Sequence, residues 1–399
     1  MLVQFMLKNV FSFKDETILD MTAINAYKEH ESNLIKIGTK ENFLRVAAIY
    51  GANASGKSNL CLAMNTFQKI IIESLNNVDK NGFHAIKRHY HPFCFEKESE
   101  NSEFQIIVIL GDYEYKYGFE YNADSIVSEW MYRKNLTTNR TSIIMERTEE
   151  SVSFGAMVRK ECVIYKEQIP PETLALSFFN KLKLETSVFN NLYDGIMETL
   201  IINTNFCEDT RILIDFLPKA IDKNKNGLIE FLTAIDTGIK DIYYVSQTNE
   251  KELLFLTEHI GRDGNNYEMN LFDESEGTLK CIIMFIYAQV AIMHNKSMFV
   301  DELNVKLHPL LLKFVIDLFY NKNSTAQLIY TTHDTTLMDK KFFRRDQILF
   351  VQKDEFGYSE LSALSDFKVR SDASFEKDYL AGVYGGIPLL KEFVMKEGN

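Results

Sequence analysis

Apolar and polar positions follow two different patterns near the start of the chain. Residues 2–7 alternate, which predicts a strand, and residues 44–50 (LRVAAIY) form an apolar run that ends at Gly51. Such a run is typical of a strand buried on both faces of a sheet. Residues 57–75 then carry apolar side chains at helical spacing. The sequence therefore predicts a buried strand, a glycine turn and a helix, in that order.

The pattern of hydrophobic and polar residues changes twice in the middle of the chain. Residues 103–147 contain several short strand-like segments separated by turn residues, which predicts consecutive strands. From about residue 171 to 237 the pattern becomes helical, and it opens with a pair of prolines that suits a helix start. Strand patterns return at 240–257, and residues 265–271 are a further candidate.

Helices and strands alternate in the last third. Helical spacing at about 276–294 and 309–321 is interleaved with strand patterns at 297–302, 327–332 and 347–352. Strands that alternate with helices predict a parallel sheet covered by helices. Together with the buried strand before Gly51, these segments predict an α/β fold.

Composition narrows the classes of function. Of 399 residues, 46% are hydrophobic and 25% are charged, which is ordinary for a globular protein. The net charge of −12 is opposite to that of most proteins that coat nucleic acid, so nucleic acid is a possible but not a favoured partner. The five cysteines are scattered, and no signal peptide or apolar run of about 20 residues is found, so we expect a cytoplasmic protein without a membrane partner.

The strongest motif follows the buried strand. Residues 51–58 (GANASGKS), here called the phosphate loop, fit the pattern GxxxxGK[ST]. Backbone N–H groups of such a turn bind phosphate, Lys57 can bind the β- and γ-phosphates, and Ser58 can offer its hydroxyl to Mg²⁺. The alternative, a glycine turn with an incidental lysine, is disfavoured by the strand-turn-helix context. The residues predicted to bind the nucleotide are Asn53, Ala54, Ser55, Gly56, Lys57, Ser58 and Asn59.

Two acidic residues follow a second apolar strand. Asp301 and Glu302 come directly after Met298-Phe299-Val300, and ligands bind at the carboxyl ends of strands in such sheets. Asp301 is predicted to hold Mg²⁺ through water, and Glu302 is predicted to polarise the attacking water. The alternative is a strand that ends in solvated acids, which is disfavoured beside a phosphate loop.

Two further segments complete the candidate chemistry. Residues 273–278 (DESEGT), here called the signature turn, open a predicted helix and contain Ser275, Glu276 and Gly277. Such a helix start can donate to a γ-phosphate held by a second subunit, although an ordinary helix cap uses the same residue types. His333 follows the strand at 327–332 and can bond the γ-phosphate and orient water.

Taken together, these motifs resemble a known family. The order phosphate loop, Ser-x-Gly, apolar-Asp-Glu, LHP and TTHD is similar to the heads of SMC-like ABC ATPases. More closely, the chain resembles bacterial ABC/AAA-type ATPases of abortive-infection and anti-phage operons (AbiL- and Rlo-type, with relatives in PARIS and Septu systems). The matching segments span nearly the whole chain and are 1–13, 47–64, 274–280, 299–309, 327–339, 344–348 and 379–388.

Some features depart from the family pattern. Phe11 stands where relatives tend to carry a basic residue, and the signature is Ser-Glu-Gly instead of Ser-Gly-Gly. There is no heptad array for a coiled-coil arm, and no acidic constellation of a TOPRIM nuclease, which OLD-family relatives append. A long DNA-bridging reach and an intrinsic nuclease are therefore not expected.

The resemblance also implies an architecture. It implies an ABC-type P-loop head with a parallel core sheet, an antiparallel β subdomain at about 85–165, and a helical insertion in place of a coiled coil. The chain would divide into a first ATPase lobe (1–170), the helical insertion (171–237) and a second lobe (238–399). The N-terminal strand would contribute to the adenine side.

The function implied by the resemblance is an ATP-hydrolysing switch. Two heads would form a homodimer or higher oligomer, with ATP between Lys57 of one subunit and Ser275 of the other. Glu302 and His333 would hydrolyse the ATP. The switch would control an effector protein from the same operon and respond to a phage-derived trigger. Two alternatives stay open: a DNA-repair ATPase of the RecF or SMC type, and a nucleotide-gated scaffold without hydrolysis.

Three other segments are interpreted as structural. Residues 222–233 imitate an EF-hand loop but lack the glutamate required at the twelfth position, so we expect a helix-ending turn. Three histidines and a cysteine within 84–94 lack zinc spacing and are expected on a surface loop. Arg344 and Arg345 are expected at a solvated strand entry, or alternatively at a contact with a partner.

Overall fold

The computed structural model describes residues 1–37, 41–75, 78–97, 100–182, 184–204, 211–246, 253–370 and 373–388. In these ranges the strands are β1 (Leu2–Lys8), β2 (Thr17–Asp20), β3 (Leu34–Ile37), β4 (Glu41–Leu44), β5 (Val46–Tyr50), β6 (Ser102–Leu110), β7 (Tyr113–Tyr121), β8 (Ile126–Asn135), β9 (Thr141–Thr148), β10 (Val152–Phe154), β11 (Leu200–Asn203), β12 (Ile239–Ser246), β13 (Leu253–Ile260), β14 (Asn266–Asn270), β15 (Ser297–Val300), β16 (Gln327–Thr331), β17 (Ile348–Lys353) and β18 (Ser359–Ala363).

The α-helices of the same ranges are α1 (Lys57–Glu73), α2 (Ala85–Arg88), α3 (Arg159–Cys162), α4 (Ala175–Leu182), α5 (Val188–Thr199), α6 (Arg211–Ala234), α7 (Glu276–Met293), α8 (Pro309–Leu318) and α9 (Phe375–Leu380). Short 3₁₀ helices lie at Glu31–Asn33, Val163–Gln168, Leu271–Asp273, Arg345–Gln347 and Leu364–Asp366.

Two large sheets organise the fold. The first has the order β10-β9-β8-β7-β6-β1-β2, with all neighbours antiparallel. The second has the order β11-β15-β16-β5-β17-β18, in which only the β17–β18 pair is antiparallel. Smaller sheets are formed by β12-β13-β14 and by β3-β4. The predicted α/β class, with a parallel core sheet and an antiparallel β region, is confirmed.

The apolar sequence of β5 reflects its central position. All five side chains are buried. Ala47 and Ile49 pack into a core shared with α1 and the antiparallel sheet. Val46, Ala48 and Tyr50 pack into a second core with α6, α7 and α8. Because both faces are covered, the strand needs apolar residues at every position, and it delivers the phosphate loop to the carboxyl edge of the sheet.

Helix α7 crosses the second core. Its length and apolar composition alone would also suit a membrane span. Its buried side chains, including Cys281, Ile282 and Met284, instead pack against the core sheet and neighbouring helices. We therefore interpret α7 as a core helix, and its N-terminus carries the signature turn.

Strand β11 corrects the predicted helical insertion. Residues 171–237 do contain α4, α5 and α6, but β11 lies between α5 and α6 and pairs in parallel with β15. Part of this segment therefore belongs to the core sheet. Its four residues are too few for their strand pattern to be separated from the flanking helical spacing. The EF-hand-like residues 222–233 lie within α6, where two helical segments meet at a kink at Asn224, so a helical segment does end inside this stretch.

Arg344 requires a second correction. Its side chain is fully buried. It forms an ion pair with Asp346 at 2.8 Å and donates to the backbone carbonyls of Tyr27 and Glu29 at 3.1 and 2.8 Å. The predicted solvated strand entry is wrong for this residue because a segment more than 300 positions away folds over it. A buried guanidinium is tolerated when charged and backbone partners satisfy its donors.

Candidate active site

The phosphate loop connects β5 to α1 and depends on two glycines. Gly56 has a φ of +112°, which L side chains rarely adopt, and a Cβ there would collide with the Ser359 hydroxyl. A Cβ at Gly51 would collide with the Val351 carbonyl oxygen. The loop can therefore pass close to β17 and β18 only with glycine at both positions. This path aims the N-terminus of α1, with its free N–H groups, at the cleft.

Lys57 is folded back over the phosphate loop. Its Nζ donates to the carbonyl oxygens of Gly51 and Ala52, both at 2.8 Å. Only 5% of the residue is exposed. Burial lowers the pKa of Lys57 to about 8, although the charges of Asp301 and Glu302 oppose this shift. The side chain is thus a largely enclosed cation whose charge at neutral pH lacks bulk solvation.

The acidic pair lies at the carboxyl end of β15. One oxygen of Asp301 accepts a hydrogen bond from Thr331 Oγ1 at 2.5 Å, and the same hydroxyl accepts from the Glu302 backbone N–H at 2.7 Å. Glu302 has a φ of +50°, an uncommon conformation for a residue with a side chain. This strained backbone directs the Glu302 side chain, which is 47% exposed, towards the cleft.

His333 faces Glu302 across the cleft. Its Nε2 lies 3.8 Å from Glu302 Oε1. Burial, followed by the nearby Lys57 charge, lowers the pKa of His333, while Glu302, the Gly51 backbone and Asp301 favour the charged form. A neutral imidazole at pH 7 follows, with one ring nitrogen able to donate and the other able to accept.

One cleft collects most of the predicted site. Four distant segments contribute to it: the phosphate loop with the start of α1, the end of β15, the turn after β16, and the end of β17. The lining residues are Asn53, Ala54, Ser55, Gly56, Lys57, Ser58, Asn59, Glu302, His333 and Lys353. The structure therefore brings Glu302 and His333 to the phosphate loop, while Asp301 lies one residue behind on the same strand end.

Ser58 and Asn59 occupy the first turn of α1. Ser58 is exposed in the cleft. Asn59 also lines the cleft, but its side-chain amide donates to Ser12 Oγ at 2.8 Å and so braces α1 against the segment after β1. In the described residues no group of three His, Cys, Asp or Glu side chains could hold a metal. The Ser58 hydroxyl and Asp301 carboxylate are hard oxygen ligands that fit Mg²⁺ only when phosphate or water oxygens complete the shell.

The signature turn lies outside this cleft. Ser275 is exposed and caps α7: its Oγ accepts from the Thr278 N–H at 3.1 Å. Glu276 forms an ion pair with Lys306 at 2.9 Å, so the acid that replaces the usual glycine is turned towards a cation of its own chain. Ser275, Glu276 and Gly277 do not line the cleft that contains Lys57. Within one chain, the two parts of the predicted nucleotide site are separate.

A family model covers this framework. It is described as "AAA domain, putative AbiEii toxin, Type IV TA system", and it matches residues 46–156 and 209–339. These segments make up more than half of the chain and include the phosphate loop, Ser275, the acidic pair and His333. The chain belongs to this AAA-domain family.

Three solved SMC head structures are similar to this AAA-family chain over most of its length. An SMC head bound to the C-winged helix domain of ScpA is 14% identical, covers 95% of this chain and 99% of its own, and has a TM-score of 0.45. The SMC head domain from Thermotoga maritima is 12% identical, with coverage of 92% and 99% and a TM-score of 0.42. An SMC head with an extended coiled coil, bound to the C-terminal domain of ScpA derived from Pyrococcus furiosus, is 13% identical, with coverage of 95% and 98% and a TM-score of 0.41. No curated protein matches by sequence.

Several residues of the AAA-family site escaped sequence reasoning. Thr331 bridges Asp301 and Glu302, and Lys353 lines the cleft from the end of β17. Ser359 donates to the Ser55 carbonyl at 2.7 Å and contacts Ser12 at 2.8 Å, so β18 and the segment after β1 brace the phosphate loop. The available signals were strand-end position and, for Thr331, the TTHD motif, because Thr331 and Lys353 end strands that neighbour β15 or β5 in the sheet.

Proposed function

We propose that the chain binds ATP with Mg²⁺ and hydrolyses it. The observation that carries this proposal is that Lys57, Glu302 and His333, from three separate segments, line one cleft with the phosphate loop. A lysine-bearing loop binds a triphosphate, and a carboxylate and an imidazole at the same cleft supply what hydrolysis needs. Membership of the AAA-domain family supports the choice of nucleotide.

Each residue has a defined role in the proposed reaction. Backbone N–H groups of the phosphate loop hold the β- and γ-phosphates, and Lys57 exchanges its bonds to the loop carbonyls for bonds to phosphate oxygens. Ser58 and Asp301 would hold Mg²⁺, which would neutralise charge on the phosphates when bound. Glu302 polarises a water and accepts its proton as the water oxygen attacks the γ-phosphorus, and the bond from that phosphorus to the bridging oxygen breaks to give ADP and phosphate. Neutral His333 donates to a γ-phosphate oxygen.

The separation of the signature turn supports a dimer. Ser275 is exposed at the N-terminus of α7 and does not line its own chain's cleft. A helix N-terminus with a serine suits a γ-phosphate. We therefore propose that two copies associate head to head, so that Ser275 of one copy contacts the ATP bound by Lys57 of the other.

The proposed biological role is a switch in bacterial anti-phage defence. ATP binding closes the dimer, hydrolysis opens it, and the change controls a separately encoded effector in response to a phage-derived trigger. The description of the matching family names an AbiEii toxin and a type IV toxin–antitoxin system, which supports a role in defence. Co-purification of the native protein followed by mass spectrometry would identify the effector; recovery of the chain alone from infected and uninfected cells would count against this role.

Glu302→Gln tests the catalytic part of the proposal. The substitution keeps the shape of the side chain but removes the base, so hydrolysis should fall about 100- to 1000-fold while ATP binding is retained. ATP should also accumulate a dimer of this variant, seen by analytical ultracentrifugation. The control is Glu167→Gln, on a side chain that is 83% exposed. Equal and negligible hydrolysis by the parent and Glu302→Gln would favour a nucleotide-gated scaffold instead.

A further inference from the structure

A buried lysine on α7 reaches the loop that follows the acidic strand. Lys280 lies five residues after Ser275 and is 2% exposed. Its Nζ donates to the carbonyl oxygen of Glu302 at 3.3 Å and to that of Val305 at 2.5 Å. A helix that begins at the signature turn therefore holds the backbone of the proposed catalytic residue.

The burial of this charge requires an explanation. Lysine is rarely fully buried, and an ammonium removed from water is costly unless hydrogen bonds replace its solvation. The neighbouring residues Cys281, Ile282 and Ile283 are buried and apolar, so an apolar side chain at position 280 would suit packing alone. What the lysine adds is a set of donors for backbone carbonyls.

The loop that Lys280 contacts has an uncommon backbone. Residues 301–307, here called the acidic-strand loop, contain two positive φ values at residues with side chains, +50° at Glu302 and +61° at Lys306. Such conformations persist when surrounding contacts fix them, and they cluster at functional sites. The Glu302 N–H is held by Thr331 and the Glu302 carbonyl by Lys280, so both sides of this residue are fixed.

The same loop touches the signature turn at a second point. Lys306 forms an ion pair with Glu276, and a Cβ placed on Gly277 would lie 3.1 Å from the Lys306 carbonyl oxygen. The start of α7 therefore packs closely on the acidic-strand loop. Lys280 contacts the loop at Glu302 and Val305, and the Glu276–Lys306 pair adds a further contact next to Val305.

We infer that Lys280 is a positioning residue that sets the backbone of Glu302 relative to Ser275. This inference rests on the proposed function. Glu302 faces the ATP of its own chain, and Ser275 faces the ATP of the other copy. Because Lys280 joins their backbones, contact of Ser275 with one ATP is coupled to the placement of the carboxylate beside the other. Lys280 itself touches neither ATP nor the attacking water.

Lys280→Met tests this inference by separating hydrolysis from binding. The substitution keeps the length and apolar stem but removes the donors, so kcat should fall about 10-fold while the Kd for ATP stays unchanged. Lys280→Arg, which keeps a cation and several donors, should recover part of the rate. The matched control is Lys313→Met on α8, where the lysine forms an i,i+4 ion pair with Asp317 and a cation–π contact with Phe342. The readouts are steady-state kcat, the Kd for ATP and the thermal unfolding midpoint.

A double-mutant cycle distinguishes positioning from a general structural role. If Lys280 acts through Glu302, then Lys280→Met should not slow Glu302→Gln further in single-turnover assays. Additive losses, or a parental kcat in Lys280→Met, would overturn the inference. If Lys280→Met fails to fold, Lys280→Leu, which also lacks donors, provides the same test, and a parental rate there would be equally decisive.

The proposed function can fail separately. A parent that does not hydrolyse ATP, or a Glu302→Gln variant as active as the parent, would overturn both proposals. An active parent with an inactive Glu302→Gln and a fully active Lys280→Met would overturn only the role of Lys280.

Discussion

The two halves of the proposed ATP site differ in how they are built. In the phosphate-loop half, Lys57 is buried and Gly56 has a backbone conformation that glycine alone adopts readily. In the signature half, Ser275 is exposed and its hydroxyl already caps α7. The first half has the enclosed, strained geometry of a binding site in a single chain. The second half is indistinguishable, within one chain, from an ordinary helix start.

The two halves therefore differ in whether they need a second copy of the chain. The phosphate loop can be recognised in one copy because its residues share a cleft with Glu302 and His333. The signature turn gains a ligand only if a second copy presents a phosphate to it. Substitutions in the first half should therefore impair binding, whereas substitutions in the second should impair only events that need both copies.

Lys57→Met should have the largest effect on the phosphate-loop half. Loss of this charge should reduce kcat/KM for ATP hydrolysis about 1000-fold, because a buried cation at the phosphates is a dominant electrostatic contribution. Thermal stability should be retained, since the variant removes a desolvated charge and keeps the apolar stem.

The control for Lys57→Met is Lys69→Met, on the same helix but exposed and outside the cleft, where a loss within about fivefold is expected because a solvated charge acts weakly. If kcat/KM of Lys57→Met for ATP hydrolysis stayed within about tenfold of the parental value, the phosphate-loop half would not be the part of the site that binds ATP.

The fold was predictable where hydrophobic periodicity is strong. The β5-loop-α1 unit and the alternating elements of the last third follow from apolar runs and helical spacing. Strand β11 was missed because four residues between two helices carry too little pattern. Arg344 was misplaced because the carbonyls that hold it come from residues 24–29, and no local pattern indicates that such a distant segment covers it.

The candidate site was predictable to the extent that it consists of strand and helix ends. The phosphate loop, the acidic pair and His333 each follow an apolar strand, and parallel strands bring such ends to one edge of a sheet. The bonds from Thr331 to Asp301 and Glu302, and from Lys280 to the Glu302 carbonyl, join segments 22 to 30 positions apart. Sequence spacing does not specify such contacts, because they depend on how the elements pack.

Ser275→Ala should have an intermediate effect on the signature half. Hydrolysis should fall about 10- to 100-fold through loss of one phosphate donor, while the Kd of a single chain for ATP should not change. Ser374→Ala is the matched control, because Ser374 caps α9 in the same way and both variants lose a helix cap. Unchanged hydrolysis in Ser275→Ala would contradict the two-copy site.

Mixing two inactive variants would sharpen this result. A dimer of one Lys57→Met chain and one Ser275→Ala chain contains one intact site, which combines Lys57 from the second chain with Ser275 from the first. Random pairing makes half of the dimers mixed, and each mixed dimer has one intact ATP site out of two. Mixing should therefore restore about a quarter of parental hydrolysis.

The smallest expected effect is a pH dependence confined to the phosphate-loop half. Burial lowers the pKa of Lys57 from 10.5 to about 8. ATP favours the charged form, so its Kd should rise about tenfold from pH 7 to pH 9 as the lysine loses its proton. The affinity for ATP should therefore fall with pH, whereas the stability of the nucleotide-free chain should increase. Between pH 8 and 10.5 the unfolded chain binds more protons than the folded chain, so the free energy of unfolding rises with pH.

Lys57→Arg separates this titration from the rest of the protein. Arginine stays protonated throughout the range, so both pH trends should disappear in this variant even if its affinity at pH 7 is lower. Ser275→Ala should keep the parental pH dependence, because no titrating group of the signature turn contacts the ATP of its own chain. Calorimetric Kd values at pH 7, 8 and 9 would check both expectations. If the Kd of Lys57→Arg for ATP depended on pH as the parental Kd does, the titration would belong to another group. The titration of Lys57 would then no longer distinguish the phosphate-loop half from the signature half.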